Sequence, residues 1–240
     1  MKLVILFPVL NEELRLENGI KKTLDYMNKK HIKDYELLIV DNGSVDKTME
    51  IAEKLCDENE TVKYLRLEER GVGIAFREGV KASDSDIIGY MDVDLSTDIE
   101  HVADMLNIFE SDPAVDMVNA SRLSKNSDTR GRKWYRNITS YGLKVIMKLF
   151  LGMKSSDAIC GFKFFKRKSL LPLMKKTTNE NGWFYIIELL IRAEREEYKI
   201  IELPVRWQDE YHSKVQVLSL INNYMTHIIK LRKQLKIEKK

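Results

Sequence analysis

The 240-residue chain predicts an α/β fold, a mostly parallel sheet with helices on both faces, followed by amphipathic C-terminal helices. Three observations carry that expectation. Short apolar runs alternate with helical patterns through the first half. Each run is rich in Val, Ile, Leu or Tyr and is closed by polar or turn residues. Acids stand directly behind two of the runs, at the carboxyl edge where ligands gather in such sheets.

Lys2–Phe7, Tyr35–Val40, Val62–Leu67, Asp86–Met91 and Val115–Ala120 read as strands. Glu12–Lys30 and Asp46–Asp57 read as helices between the first pairs, with Ser44 or Asp46 placed to cap the second. Ser124–Arg132 is polar and charged and reads as a mobile loop. Trp134–Met153, Gly182–Glu197 and Ser213–Leu235 have helical periodicity, and Phe162–Lys166 and Lys199–Val205 read as strands. With no internal repeat or low-complexity linker, one domain over 1–240 is the simplest division.

Composition narrows the classes of function. The net charge is only +3, and no nucleic-acid-binding motif is present, so a nucleic-acid partner is not expected. Lys230, Arg232, Lys233, Lys236, Lys239 and Lys240 make the tail basic, which suits an anionic surface or a solvated helix face. Cys56 and Cys160 are the only cysteines, too few for a disulfide framework, and a reducing, cytoplasmic setting is the natural expectation. No run reaches the roughly 18 apolar residues that span a bilayer. The Leu3–Leu10 run reads as a buried strand rather than a leader.

Asp92-Val93-Asp94 follows directly on an apolar strand. Residues two apart in extended chain project to the same side, so the two carboxylates repel unless a cation sits beside them. A divalent ion carrying a diphosphate meets that need, and capping of a following helix is the alternative. Asp41, before Asn42-Gly43-Ser44, ends another strand in the same way and suits either a nucleotide contact or the turn itself. Gly71-Val72-Gly73 resembles part of a dinucleotide fingerprint. It lies far from the first strand–helix turn, Pro8-Val9-Leu10-Asn11-Glu12, which has no glycine, so a dehydrogenase is a poor fit.

Together Pro8…Asn11-Glu12-Glu13, Val40-Asp41-Asn42-Gly43-Ser44…Asp46 and Met91-Asp92-Val93-Asp94-Leu95 resemble the ordered signatures of family 2 glycosyltransferases, whose fold is GT-A, Rossmann-like. Ser121-Arg122, Trp134-Tyr135-Arg136-Asn137, Asp157 with Cys160-Gly161-Phe162-Lys163, Glu188-Leu189-Leu190, Pro204-Val205…Trp207 and Ser213-Lys214 are similar to its dolichyl- or polyprenyl-phosphate sugar synthase branch. The resemblance runs from Leu3 to about Ile229. It implies a nucleotide-sugar-binding half over about 1–120, an acceptor half over about 121–212 and a basic amphipathic helix over about 213–235.

By that resemblance Pro8, Asn11, Glu12, Asp41 and Arg77 lie around the donor, a nucleotide-diphosphate sugar. Asp92 and Asp94 hold Mg²⁺ or Mn²⁺. Arg122, Arg136, Ser213 and Lys214 face a dolichyl or polyprenyl phosphate, with Asp94, Arg122, Arg136 and Lys214 as the catalytic set. The chain departs from the pattern at Asn42, Val72, Ser96 and Tyr185-Ile186, and lacks an arginine shortly before Ser213. A phosphate acceptor is already nucleophilic and needs cations only, whereas a glycan hydroxyl needs a base, for which Asp157 and Glu188 are the candidates. The expected activity is therefore inverting, metal-dependent transfer from a UDP- or GDP-sugar to the lipid phosphate. Transfer to a glycan hydroxyl and a non-catalytic nucleotide-sugar-binding module are the alternatives. Tyr141, Val145, Leu149 and Met153, with Lys144 and Lys148, form a stripe that is either core or a peripheral contact with the cytosolic face of a membrane, aided by a membrane-protein partner.

Overall fold

The computed structural model describes residues 1–132, 134–208 and 217–238, and at 134–136 and 217–223 it describes the backbone only. The elements run β1 (Leu3–Val9), α1 (Leu16–Lys29), β2 (Tyr35–Asp41), α2 (Thr48–Glu58), β3 (Val62–Arg66), α3 (Val72–Ala82), β4 (Ile87–Met91) and α4 (His101–Ser111). There follow β5 (Met117–Ser121), α5 (Trp134–Leu151), β6 (Phe162–Lys166), α6 (Arg167–Met174), α7 (Phe184–Arg195), β7 (Ile200–Pro204) and α8 (Val217–Ile237).

The seven strands form one sheet in the order β3-β2-β1-β4-β6-β5-β7. Among them β6 alone runs antiparallel to its neighbours β4 and β5. The continuous apolar runs follow from burial on both faces. Along β1, Val4 and Leu6 join a core with α3, α5, α6, α7 and α8. Leu3, Ile5, Phe7 and Val9 join a second core with α1, α2 and α4. The carboxyl ends of β1, β2 and β4 therefore lie along one edge, which brings Pro8, Asp41 and Asp92 together.

Several sequence expectations change. Helices α3 and α6 occupy stretches with no helical expectation, and α4 has only the expectation of a helix following Asp94. A glycine at each end of Gly71-Val72-Gly73 hides the start of α3. Gly71 sits at φ 140°, and a side chain at Gly71 or Gly73 would overlap the Asn181 or Glu180 carbonyl oxygen, so these glycines serve close packing. Of the two candidate caps, Asp46 serves α2: its carboxylate accepts from the amide of Thr48, the first helical residue, at 3.0 Å, while the residue next to the helix, Lys47, makes no side-chain cap. The Ser44 hydroxyl instead accepts from the Asn11 amide. The loop over 124–132 is pinned to the segment after β7 by paired amide bonds between Asp128 and both Val205 and Trp207.

Candidate active site

Two loops interlock at the carboxyl edge of the sheet. The Asn11 amide donates to Ser44 Oγ at 2.9 Å, the Val45 amide donates to Asn11 Oδ1 at 2.9 Å, and the Glu12 amide donates to Thr48 Oγ1 at 2.8 Å. Asp41 makes its turn by accepting from the Ser44 amide at 2.8 Å, and its other oxygen accepts from Tyr64 Oη at 2.8 Å and Arg66 Nη1 at 3.2 Å. Its side chain is shut from solvent. The Asn42 amide donates to the Val9 carbonyl, and its oxygen accepts from the Gly71 amide. A carboxylate at 42 has no proton to give Val9, so this departure from the family pattern has a structural use.

Asp92 and Asp94 lie beside this edge. Glu12 accepts both donors of an Arg15 fork at 2.6 Å, and Arg15 Nη1 stands 3.9 Å from Asp94 Oδ2, which links the first loop to the acid pair. The Asp94 carboxylate accepts from the Ser96 amide at 2.9 Å across a turn in which Leu95 has φ 53°. Burial, and then the charge of Asp94, push the Asp92 carboxyl up to about 7 against the opposing pull of Arg122 and Lys163. A site that resists holding two negative charges by itself, with oxygen donors only, fits a divalent cation that also takes phosphate oxygens. Among the described residues no group of three or more His, Cys, Asp or Glu side chains could cage a metal, so such an ion would rest on this pair.

Gly161 makes room for the pair. A Cβ there would stand 1.9 Å from Asp92 Oδ2. Gly161→Ala is expected to displace the carboxylate and weaken Mn²⁺-dependent donor binding by about tenfold or more, read by calorimetry, with the circular dichroism spectrum unchanged. Binding within twofold of the parent would show that the carboxylate has room to spare.

On the far side, Arg122 meets Asp157 with Nε at 2.7 Å, Nη2 at 3.0 Å and its backbone amide at 3.1 Å. Burial raises the Asp157 carboxyl, but the charge and hydrogen bonds of Arg122 outweigh it and hold the group well below the usual carboxylate range. Glu188 is also buried and accepts from Arg192 Nε at 2.7 Å and Thr178 Oγ1 at 2.5 Å. Both base candidates are thus paired acids. Lys163, fully buried, donates to the Cys160 carbonyl at 2.6 Å, and burial lowers its pKa. It is a member of this cluster that the sequence names only within the Cys160-Gly161-Phe162-Lys163 motif, without a role. The available signal was a lysine inside the run Phe162-Lys163-Phe164-Phe165, on a strand buried on both faces.

Arg77 donates to the Glu180 carbonyl at 2.6 Å and Asn181 Oδ1 at 2.5 Å and lies 4.7 Å from the Tyr185 ring centroid, so its contacts are with the segment before α7. The Arg136 side chain, Ser213 and Lys214 lie outside the described residues.

A family model described as Glycosyl transferase family 2 matches residues 4–172. Glycosyltransferase AglD of Haloferax volcanii is 28% identical over 97% of this chain, which spans 37% of that protein. The dolichyl-phosphate beta-glucosyltransferases of Dictyostelium discoideum and Homo sapiens are 26% and 30% identical, over 96% and 89% of this chain and 73% and 69% of theirs. Among solved structures, glucosyl-3-phosphoglycerate synthase from Mycobacterium tuberculosis, in complex with Mn²⁺, UDP and phosphoglyceric acid, superposes with a TM-score of 0.70 at 16% identity. That match covers 96% of this chain and 78% of that one, and it shows the expected GT-A-like fold. The chain belongs to glycosyl transferase family 2, in its dolichyl- and polyprenyl-phosphate sugar synthase-like branch.

Proposed function

We propose that this chain transfers a sugar from a UDP- or GDP-sugar to a dolichyl or polyprenyl phosphate, with inversion at the sugar C1, at the cytosolic face of a membrane. One observation carries the choice of acceptor. Asp157 and Glu188, the acids available as a base for a hydroxyl acceptor, are both committed to buried ion pairs. A phosphate monoester has its second pKa near 6 and is largely dianionic at pH 7, so it attacks without a base. The names of the dolichyl-phosphate relatives support the same acceptor and make glucose the first sugar to test.

In this reading Pro8, Asn11 and Glu12 form the floor on which the nucleotide lies, Asp41 acts from beneath by holding the turn that carries Ser44, and Arg77 acts on the donor side through the 180–181 segment. Asp92 and Asp94 would hold Mg²⁺ or Mn²⁺. Such an ion neutralises the leaving diphosphate when bound. Arg122 engages Asp157 through Nε and Nη2, and among the described residues its Nη1 makes no hydrogen bond, leaving a donor for the acceptor phosphate. Arg136, Ser213 and Lys214 complete that cationic site. The phosphate oxygen attacks C1 from the face opposite the nucleotide, and the nucleoside diphosphate departs with the bonding pair.

Extraction of labelled product separates the acceptors. Incubation with labelled UDP-glucose and farnesyl phosphate is expected to move label into the organic phase. Label that enters only water-soluble glycans would overturn the lipid reading.

An exposed apolar ridge on α5 supports the membrane setting. Tyr141, Val145 and Leu149 are 51, 53 and 72% exposed, so that part of the stripe is not core, and Ile138, 61% exposed, extends it. Met153 is the exception, buried beyond the helix end. Lys144 and Lys148 interleave with this ridge, an apolar and basic pattern suited to an anionic interface. No described helix is long and apolar enough to cross a membrane. Docking of this kind needs no protein partner, and none is proposed. Val145→Asp with Leu149→Asp is expected to cut co-sedimentation with phosphatidylserine-containing vesicles by about tenfold. Undiminished co-sedimentation would remove α5 from the contact.

A further inference from the structure

Trp207 stands where three loops of the site meet. Its amide donates to the Asp128 carbonyl at 2.8 Å, the next amide, of Gln208, donates to the Ser96 carbonyl at 2.9 Å, and Trp207 forms a bridge with Thr97. The segment after β7 is thereby stitched both to the loop that follows Asp94 and to the loop that follows Arg122. The Trp207 ring carries two guanidinium groups, with the Arg122 carbon 5.6 Å and the Arg132 carbon 5.2 Å from its centroid. Arg132 in turn donates to Asn137 Oδ1 at 2.7 Å and Ser140 Oγ at 2.8 Å, which ties it to the first turns of α5.

An arginine whose in-plane donors are fixed by Asp157 can still tilt about that fork, and a ring over the guanidinium removes this freedom. The same ring fixes Arg132, and through it the start of α5, relative to Arg122. We propose that Trp207 is the positioning residue of the acceptor site. It registers Arg122 against the turn of α5 that carries Arg136, and both against the loop of the Asp92–Asp94 pair. Arg132 becomes a site residue on this account, acting through the ring and through α5. The inference rests on the phosphate-acceptor reading and adds what holds the cations in place.

The test compares wild type, Trp207→Leu and Trp207→Phe with farnesyl phosphate as acceptor, alongside UDP and Mn²⁺ binding by calorimetry. Trp207→Leu is expected to raise the acceptor KM by about tenfold or more while UDP–Mn²⁺ affinity stays within about twofold. Trp207→Phe, which keeps an aromatic face, is expected to recover most of the acceptor affinity. Arg132→Gln, with its planar head but no charge, is expected to shift the acceptor KM in the same direction as Trp207→Leu. A parallel loss of donor and acceptor binding would reduce Trp207 to a fold-supporting residue and overturn the inference. So would an unchanged acceptor KM in Trp207→Leu. A wild type that neither binds nor glycosylates farnesyl phosphate would defeat the acceptor reading itself, a failure seen before any variant is made.

Discussion

Asp94→Asn is expected to lower kcat/KM for sugar transfer by about 10²- to 10³-fold and to abolish its dependence on Mn²⁺ or Mg²⁺. The substitution keeps the side-chain oxygen that accepts from the Ser96 amide, so the turn and the fold should persist. What disappears is the negative charge facing Arg15 on one side and Asp92 on the other. Asp92→Asn should separate stability from function still further. Burial and the neighbouring acid already disfavour the charged form of Asp92, so a neutral amide there should leave the melting temperature unchanged or higher while transfer collapses. Paired measurements of Mn²⁺-dependent initial rate and thermal melting decide the matter. Either variant retaining wild-type rates with the same metal titration would refute a metal at this pair.

The second large effect belongs to stability. Asp157→Ala is expected to cost about 3–5 kcal/mol, because it strands a buried arginine rather than deleting a surface contact. The pair supports that scale, with Arg122 and Asp157 side chains 10% and 1% exposed. The sign of its pH dependence follows from the direction of the shift. Arg122 holds the Asp157 carboxyl below its usual range, so the stabilisation is complete above the unfolded-state value near 4 and is lost only as pH falls through the lower folded value. Urea unfolding of wild type and Asp157→Ala should show a constant gap from about pH 7 down to about 5, narrowing only in stronger acid. A gap of under about 1 kcal/mol at pH 7 would mean that the pair is solvated and not a fixed part of the site.

Some of this was legible in the chain itself. The run Leu3 to Val9 is apolar at every position, and a strand buried on both faces requires that. Asp41 and Asp92 each follow such a run, so their place at a common edge came from strand patterning and the parallel-sheet expectation. Helices α3 and α6 were not legible, because Gly71 and Gly73 weaken one start and Pro172 interrupts the other within eight residues. The partners of the acids were invisible for a different reason. Arg122 and Asp157 are 35 residues apart, and Asp41 reaches Tyr64 and Arg66 across 23 and 25 residues. No local pattern encodes those distances.

The sequence by itself determined the family, the strand runs and the acid pair at the end of β4, since each depends on local order and spacing. Tertiary structure decided that Asp157 and Glu188 are ion-paired acids, that Trp207 gathers two arginines, and that Tyr141, Val145 and Leu149 face outward while Met153 does not. Helical spacing fixes which residues share a face. Only the packing of α5 against α8 and the sheet fixes which face meets the core.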